Sequence, residues 1–185
     1  MKPILIIIDM QHEFLGSGDD VLVADIAEFA TKWVHRQLPV LVTQFRNAPQ
    51  SSFVKFLGWA GAMQNTLVES LIELASNNIE EFHSVTKQTY SALTDHGVLA
   101  MLDEYGIDTV VLCGVDTDAC IMAIALDAFD HGLRPLVLSD LCASSGGDNY
   151  HQAALMLLER NIGRRQLSTS KVFMDEVGNV VGAQP

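Results

Sequence analysis

Two rhythms of apolar positions alternate along the chain. Ile4-Leu5-Ile6-Ile7-Ile8 is an unbroken β-favouring run, the pattern of a strand buried on both faces. Residues 22–37 then carry helical spacing and stop before Pro39, and Val40-Leu41-Val42-Thr43-Gln44-Phe45 predicts a second strand. Residues 46–65 hold Pro49, two serines, two glycines and scattered aromatics, and read as a long loop: a lid, a binding wall or plain surface packing. A helix is expected around 66–75 and a short strand near His83–Lys87. A helix over 95–105 ends at Gly106, and Asp108–Val115 is a third strong strand. Ala119–His131 reads as a helix closed by Gly132, Pro135–Ser139 as a strand, and 149–162 as a helix followed by Gly163. The tail from Leu167 fits either a last short strand or a helix.

Strand followed by helix, repeated, predicts an α/β fold: a three-layer doubly wound sandwich whose central sheet is mostly parallel. No repeat, low-complexity stretch or linker interrupts the pattern, so residues 1–185 are expected to form one domain. In such folds ligands bind beyond the carboxyl ends of the strands.

Composition narrows the classes. Apolar residues make up 49% and charged residues 18%, enough to bury a core and too apolar for disorder. The net charge is −12 with no basic stripe, which argues against nucleic acid and against an anionic membrane surface. The run at Ile4–Ile8 is stopped by Asp9, whereas a membrane span needs about 20 apolar residues. Residues 1–20 lack a signal-peptide plan, and three cysteines without a CxxC pair suit a reducing, cytoplasmic setting rather than a disulfide framework. The six histidines (12, 35, 83, 96, 131, 151) show no HxH, DxH or HExxH spacing, and there is no GxGxxG or P-loop. Neither a metal nor a cofactor is therefore expected.

Chemistry-bearing residues fall at the predicted strand ends. Asp9 follows the first strand, either as a loop or helix cap or as a reactive carboxylate. Cys120 follows Asp116-Thr117-Asp118 and falls in the first turn of the next helix, with Thr117 or Asp118 as its cap. Free N–H groups and the helix dipole there favour a thiolate and can hold an oxyanion. Most free cysteines are instead small buried hydrophobes; Cys113, inside a strand, and Cys142 fit that description better. Lys87, taken alone, reads as an ordinary solvated lysine.

Three segments resemble one family. Ile6-Ile7-Ile8-Asp9-Met10-Gln11-His12-Glu13-Phe14, Lys87 with Tyr90-Ser91-Ala92-Leu93, and Cys113-Gly114-Val115-Asp116-Thr117-Asp118-Ala119-Cys120 are similar, in order, to the motifs of the isochorismatase-like cysteine hydrolases. Asp140-Leu141-Cys142-Ala143-Ser144 resembles the segment after that family's next strand, and the likeness spans roughly residues 3–165. The resemblance implies the family's Rossmann-like fold and an Asp9, Lys87 and Cys120 triad: Cys120 the nucleophile, Asp9 the acid and base, Lys87 the cation. It implies a cis peptide at Val115–Asp116, directing the Asp116 and Cys120 N–H groups at an oxyanion. It also points to Phe14, Gln44, Arg46, Tyr90 and Thr117 as substrate-binding positions, and to a homodimer or homotetramer.

Thr43-Gln44-Phe45-Arg46-Asn47-Ala48-Pro49 stands where the nicotinamidase branch carries a histidine metal cluster, which counts against a metal and against nicotinamide. The expected function is cleavage of a C–N bond of a small amide or carbamoyl compound through a thioester. The alternatives are a related hydrolase of another small molecule and a non-catalytic α/β scaffold. A receiver domain fits poorly, because Asp9 lacks an acidic neighbour at Ile8 or Met10. Phe53, Phe56, Leu57 and Trp59 suit an apolar flank of the substrate, packing under the loop, or a neighbouring subunit.

Overall fold

The structure is a computed structural model that describes residues 1–64, 66–78 and 80–181, with side chains as far as Glu176. The last four residues of the predicted domain, 182–185, lie outside the described residues. Six strands form one sheet: β1 (Pro3–Ile8), β2 (Val40–Phe45), β3 (Phe82–Lys87), β4 (Thr109–Val115), β5 (Arg134–Ala143) and β6 (Leu167–Ser168), in the order β3-β2-β1-β4-β5-β6. Every neighbouring pair is parallel. The helices are α1 (Asp20–Val34), α2 (Ser52–Leu57), α3 (Glu69–Asn77), α4 (His96–Glu104), α5 (Met122–Asp130), α6 (Asp148–Ile162) and α7 (Ser170–Val181).

Alternation along β1 explains the layering. Ile4, Ile6 and Ile8 enter a core with Val98 and Leu102 of α4, Ile124 of α5 and Leu158 of α6. Leu5 and Ile7 enter a second core with Phe29 and Trp33 of α1, Leu71 of α3 and Phe173 of α7. Successive side chains point to opposite faces, so a continuous aliphatic run feeds both layers. The strand order reverses between β1 and β4, and parallel sheets leave a crevice at such a point. Gly114 makes that junction possible. It pairs with Ile8 at φ +118°, and a Cβ there would run into the Ile8 carbonyl oxygen.

Several boundaries differ from the sequence reading. The 46–65 stretch contains α2, a short helix started by Ser51, whose Oγ accepts from the Val54 N–H. Strand β5 runs on to Ala143, because Cys142 and Ala143 still pair with Gly114 and Val115 after a register shift in β4. The tail carries both a strand and a helix, and Asp140 fixes the start of α7 by accepting from the Ser170 N–H and Oγ, each at 2.7 Å.

Candidate active site

Asp9 is the first residue past β1. Its φ of +51° turns the chain out of the strand, a conformation aspartate tolerates better than most residues. The side chain is fully buried, yet each carboxylate oxygen has a donor. Thr43 Oγ1 donates to Oδ1 at 2.6 Å and Lys87 Nζ donates to Oδ2 at 2.6 Å. Lys87 ends β3 and is itself buried. Its ammonium also donates to the Thr89 carbonyl at 3.1 Å and to Cys120 Sγ at 3.3 Å, and lies 5.2 Å over the Phe45 ring. Three N–H donors thus meet three acceptors, and neither charge of the pair is left uncompensated in the interior.

Cys120 is reached through the cis peptide Val115–Asp116 at the end of β4. The turn Thr117–Ile121 is π-helical, with the Ile121 N–H on the Asp116 carbonyl at 3.1 Å, and it runs directly into α5. Neither Thr117 nor Asp118 caps it, contrary to expectation. The position in the sequence points to a thiolate, whereas the surroundings of the folded site push the other way. Burial, with Cys120 only 9% exposed, pushes the thiol well above its usual range. The Asp9 charge pushes the same way, and Lys87 offsets this in part.

The expected substrate positions separate. Phe14 and Tyr90 stand in a chain of rings: Phe14 packs on Trp59 at 6.1 Å and Phe45 at 6.2 Å, Phe45 on Phe53 at 4.9 Å, and Phe53 on Tyr90 at 4.9 Å. Tyr90 remains 44% exposed, at the rim. Arg46 is exposed, and its backbone N–H bonds the Lys87 carbonyl at 2.9 Å, so it too stands near the rim. Gln44 does not join them. It alternates with Thr43 and Phe45 along β2 and therefore faces the opposite side of the sheet. Thr117 is also a correction. It is buried, and its hydroxyl bonds the Ala143 carbonyl at 3.0 Å and His151 Nδ1 at 2.8 Å, tying the turn to β5 and α6. Asp116 accepts from the Ser145 N–H at 2.6 Å and Oγ at 2.8 Å, and burial raises its pKa. Of the loop residues, Phe53 and Trp59 pack into the rings, whereas Phe56 and Leu57 are 82% and 64% exposed.

Two site residues escaped the sequence reading. Thr43 holds Asp9, but a β-branched residue inside a β-favouring run carries no sign of that task. Gln11 is fully buried: its Nε2 donates to the Phe45 carbonyl at 3.0 Å, and its Oε1 accepts the Phe45 N–H at 2.7 Å. It pins the end of β2 and thereby the ring beneath Lys87. Its place two residues after Asp9 was the available signal. Among the described residues, no three His, Cys, Asp or Glu side chains stand together as metal ligands.

This combination of a doubly wound sheet and a buried Asp-Lys-Cys constellation at its switch point defines a class of protein, and comparison with known proteins assigns it. The isochorismatase domain matches residues 3–170, and the chain belongs to the isochorismatase family. It is 35% identical over 98 residues to maleamate amidohydrolase of Pseudomonas putida, covering 53% of this chain and 45% of that protein. It is 28% identical over 145 residues to isochorismatase domain-containing protein 2 of Xenopus laevis, covering 76% of this chain and 60% of the relative. The chain thus matches less than two thirds of the length of either relative. The N-carbamoylsarcosine amidase of Thermoplasma acidophilum has the same fold, with a TM-score of 0.76 at 23% identity over 92% of this chain and 97% of that one.

Proposed function

We propose that the protein is a cysteine hydrolase that cleaves the C–N bond of a small uncharged amide or carbamoyl compound. The observation that carries this reading is the Lys87 ammonium bridging Asp9 Oδ2 and Cys120 Sγ in a water-poor rim. Asp9 takes the thiol proton as sulfur attacks the carbonyl carbon. The Asp116 and Cys120 N–H groups receive the charge that develops on oxygen. Asp9 returns the proton to nitrogen, the C–N bond breaks, and ammonia or an amine leaves a thioester on Cys120. Water then attacks the thioester while Asp9 takes its proton, and that proton restores the thiol. A thiol pushed up by burial suits this cycle, because the base stands beside it and sulfur becomes charged only as it attacks. Lys87 keeps a positive charge at the centre throughout.

Support for an uncharged substrate comes from the groups nearest the thiol, whereas the exposed Arg46 near the rim would favour a carboxylate. All three Lys87 hydrogens are committed, Asp116 is acidic, and the rings of Phe14, Phe45, Phe53 and Trp59 form an apolar wall. The name of the Pseudomonas putida relative, an amidohydrolase, supports the bond type. The test is ammonia release from a panel of primary amides, ureas and carbamoyl compounds, with Cys120→Ala as the control. Turnover of at least one panel member by the wild type alone is expected. Cleavage of isochorismate with no amide turned over would overturn the reading.

A further inference from the structure

We infer that Thr43 is a positioning residue that assigns the catalytic proton to one oxygen of Asp9. The inference rests on the triad reading above and concerns the step that triad must perform. The Thr43 hydroxyl and Asp9 meet twice. The Asp9 N–H points at Thr43 Oγ1 at 3.2 Å, shared with the Thr43 carbonyl at 3.2 Å, so it occupies the acceptor side of the hydroxyl. The hydroxyl hydrogen is left to point at Asp9 Oδ1, 2.6 Å away. Both residues are fully buried, and the hydroxyl is held inside the fold.

The consequence is an asymmetric carboxyl group. Each oxygen accepts one hydrogen, Oδ1 from the Thr43 hydroxyl and Oδ2 from the Lys87 ammonium, so the two differ in the side they face. Oδ2 is the oxygen that shares the Lys87 ammonium with Cys120 Sγ, so it lies on the reacting side. The proton leaving sulfur therefore settles on Oδ2 and stays within reach of the departing nitrogen. The balance is simple: the S–H bond breaks and an O–H bond forms at Oδ2; later that O–H bond breaks and an N–H bond forms as the C–N bond is lost. Without the hydroxyl, Oδ1 loses its donor while Oδ2 keeps Lys87, so Oδ1 draws the proton and holds it turned away from the nitrogen. Proton uptake is then unhindered and proton return is slowed.

The leaving group separates this role from a merely structural one. An amide nitrogen must be protonated to leave, whereas p-nitrophenolate leaves without a proton. Purified full-length Thr43→Val and Thr43→Ser are compared with wild type on an amide and a p-nitrophenyl ester of the same acyl group, the ester followed by its acylation burst. Thr43→Val is expected to lower kcat on the amide about 30-fold or more with KM little changed, while the ester burst stays within about threefold. Thr43→Ser is expected to recover the amide rate to within about threefold, because it restores the hydroxyl. Thr43→Ala, read in the same two assays, supplies the contrast if the valine variant does not fold. Equal losses on amide and ester, or no recovery by serine, would overturn the role of Thr43 and leave the triad standing. A Cys120→Ala protein that still shows both activities would instead overturn the triad.

Discussion

Ile8 and Asp9 are adjacent in the chain and equally buried, at 0% exposure, yet they belong to two different regions. The sheet interior, Ile4 to Ile8 and Val110 to Cys113, is held by apolar contact on both faces. Each side chain there gains from burial by itself, by about 1.5–3 kcal/mol. The rim one residue further on buries a carboxylate, an ammonium and a thiol, which gain nothing from burial unless they are paired. Asp9, Lys87, Thr43 and Gln11 each spend their hydrogen-bonding capacity on one another or on the ends of β2 and β3. Equal burial therefore produces rigidity in one region and poised chemistry in the other. Substitutions should separate along the same line: the interior should lose folding alone, and the rim should lose rate, with folding lost as well only where a buried charge is left unpaired.

The largest separation is expected at the rim. Cys120→Ala should remove amide turnover, a drop of about 10⁴-fold or more, with the thermal midpoint nearly unchanged because alanine fits the small buried site. Asp9→Asn and Lys87→Ala should each lower kcat by orders of magnitude. Lys87→Ala should also destabilise the protein by about 3–5 kcal/mol, since Asp9 would remain as an unpaired buried charge. Denaturant titration beside steady-state kinetics reads both effects. A Cys120→Ala protein that unfolds as readily as an interior variant would erase the distinction between the regions.

Gly114 tests the opposite side. Its Cβ would meet the Ile8 backbone, and its φ of +118° is one that other L-residues rarely adopt. Gly114→Ala is expected to cost about 2–4 kcal/mol, seen as a lower denaturation midpoint. An unchanged midpoint would show that β1 and β4 separate freely.

A further effect should appear with pH. Burial is the main cause that raises Cys113, Cys120 and Cys142 above their ordinary range. A folded-state pKa raised above the unfolded value means that the native protein holds its protons more tightly. The stability this contributes is complete below the unfolded thiol pKa of about 8.5 and is lost as pH rises beyond it. The unfolding free energy should fall by up to about 1.4 kcal/mol per pH unit for each thiol, and Cys113→Ala should make that fall shallower. A flat profile from pH 8 to 10 would count against the protonated thiols.

The smallest expected effect is that of metal removal. The His-free stretch after β2 and the absence of a ligand cluster among the described residues predict that dialysis against a chelator leaves amide turnover unchanged. Loss of activity that zinc, iron or manganese restores would contradict this.

The order of strands and helices was legible in the sequence because it depends on local periodicity: unbroken aliphatic runs for strands buried on both faces and wider spacing for the helices. That order also put Asp9, Lys87 and Cys120 at strand ends, although only the likeness of three motifs gave Lys87 a role. Their meeting depends on contacts that no local pattern encodes. Lys87 reaches Asp9 across 78 positions and Cys120 across 33, and Thr43 reaches Asp9 across 34. Tertiary structure alone decided that Gln44 faces away while Thr43 faces in, because a one-residue step along a strand reverses the side chain. It also decided that Thr117 is spent on β5 and α6, and that burial pushes the Cys120 thiol up. Thiol ionisation answers to the depth of burial and the nearest charges, and both are properties of the assembled rim, where residues far apart in the chain share one water-poor volume.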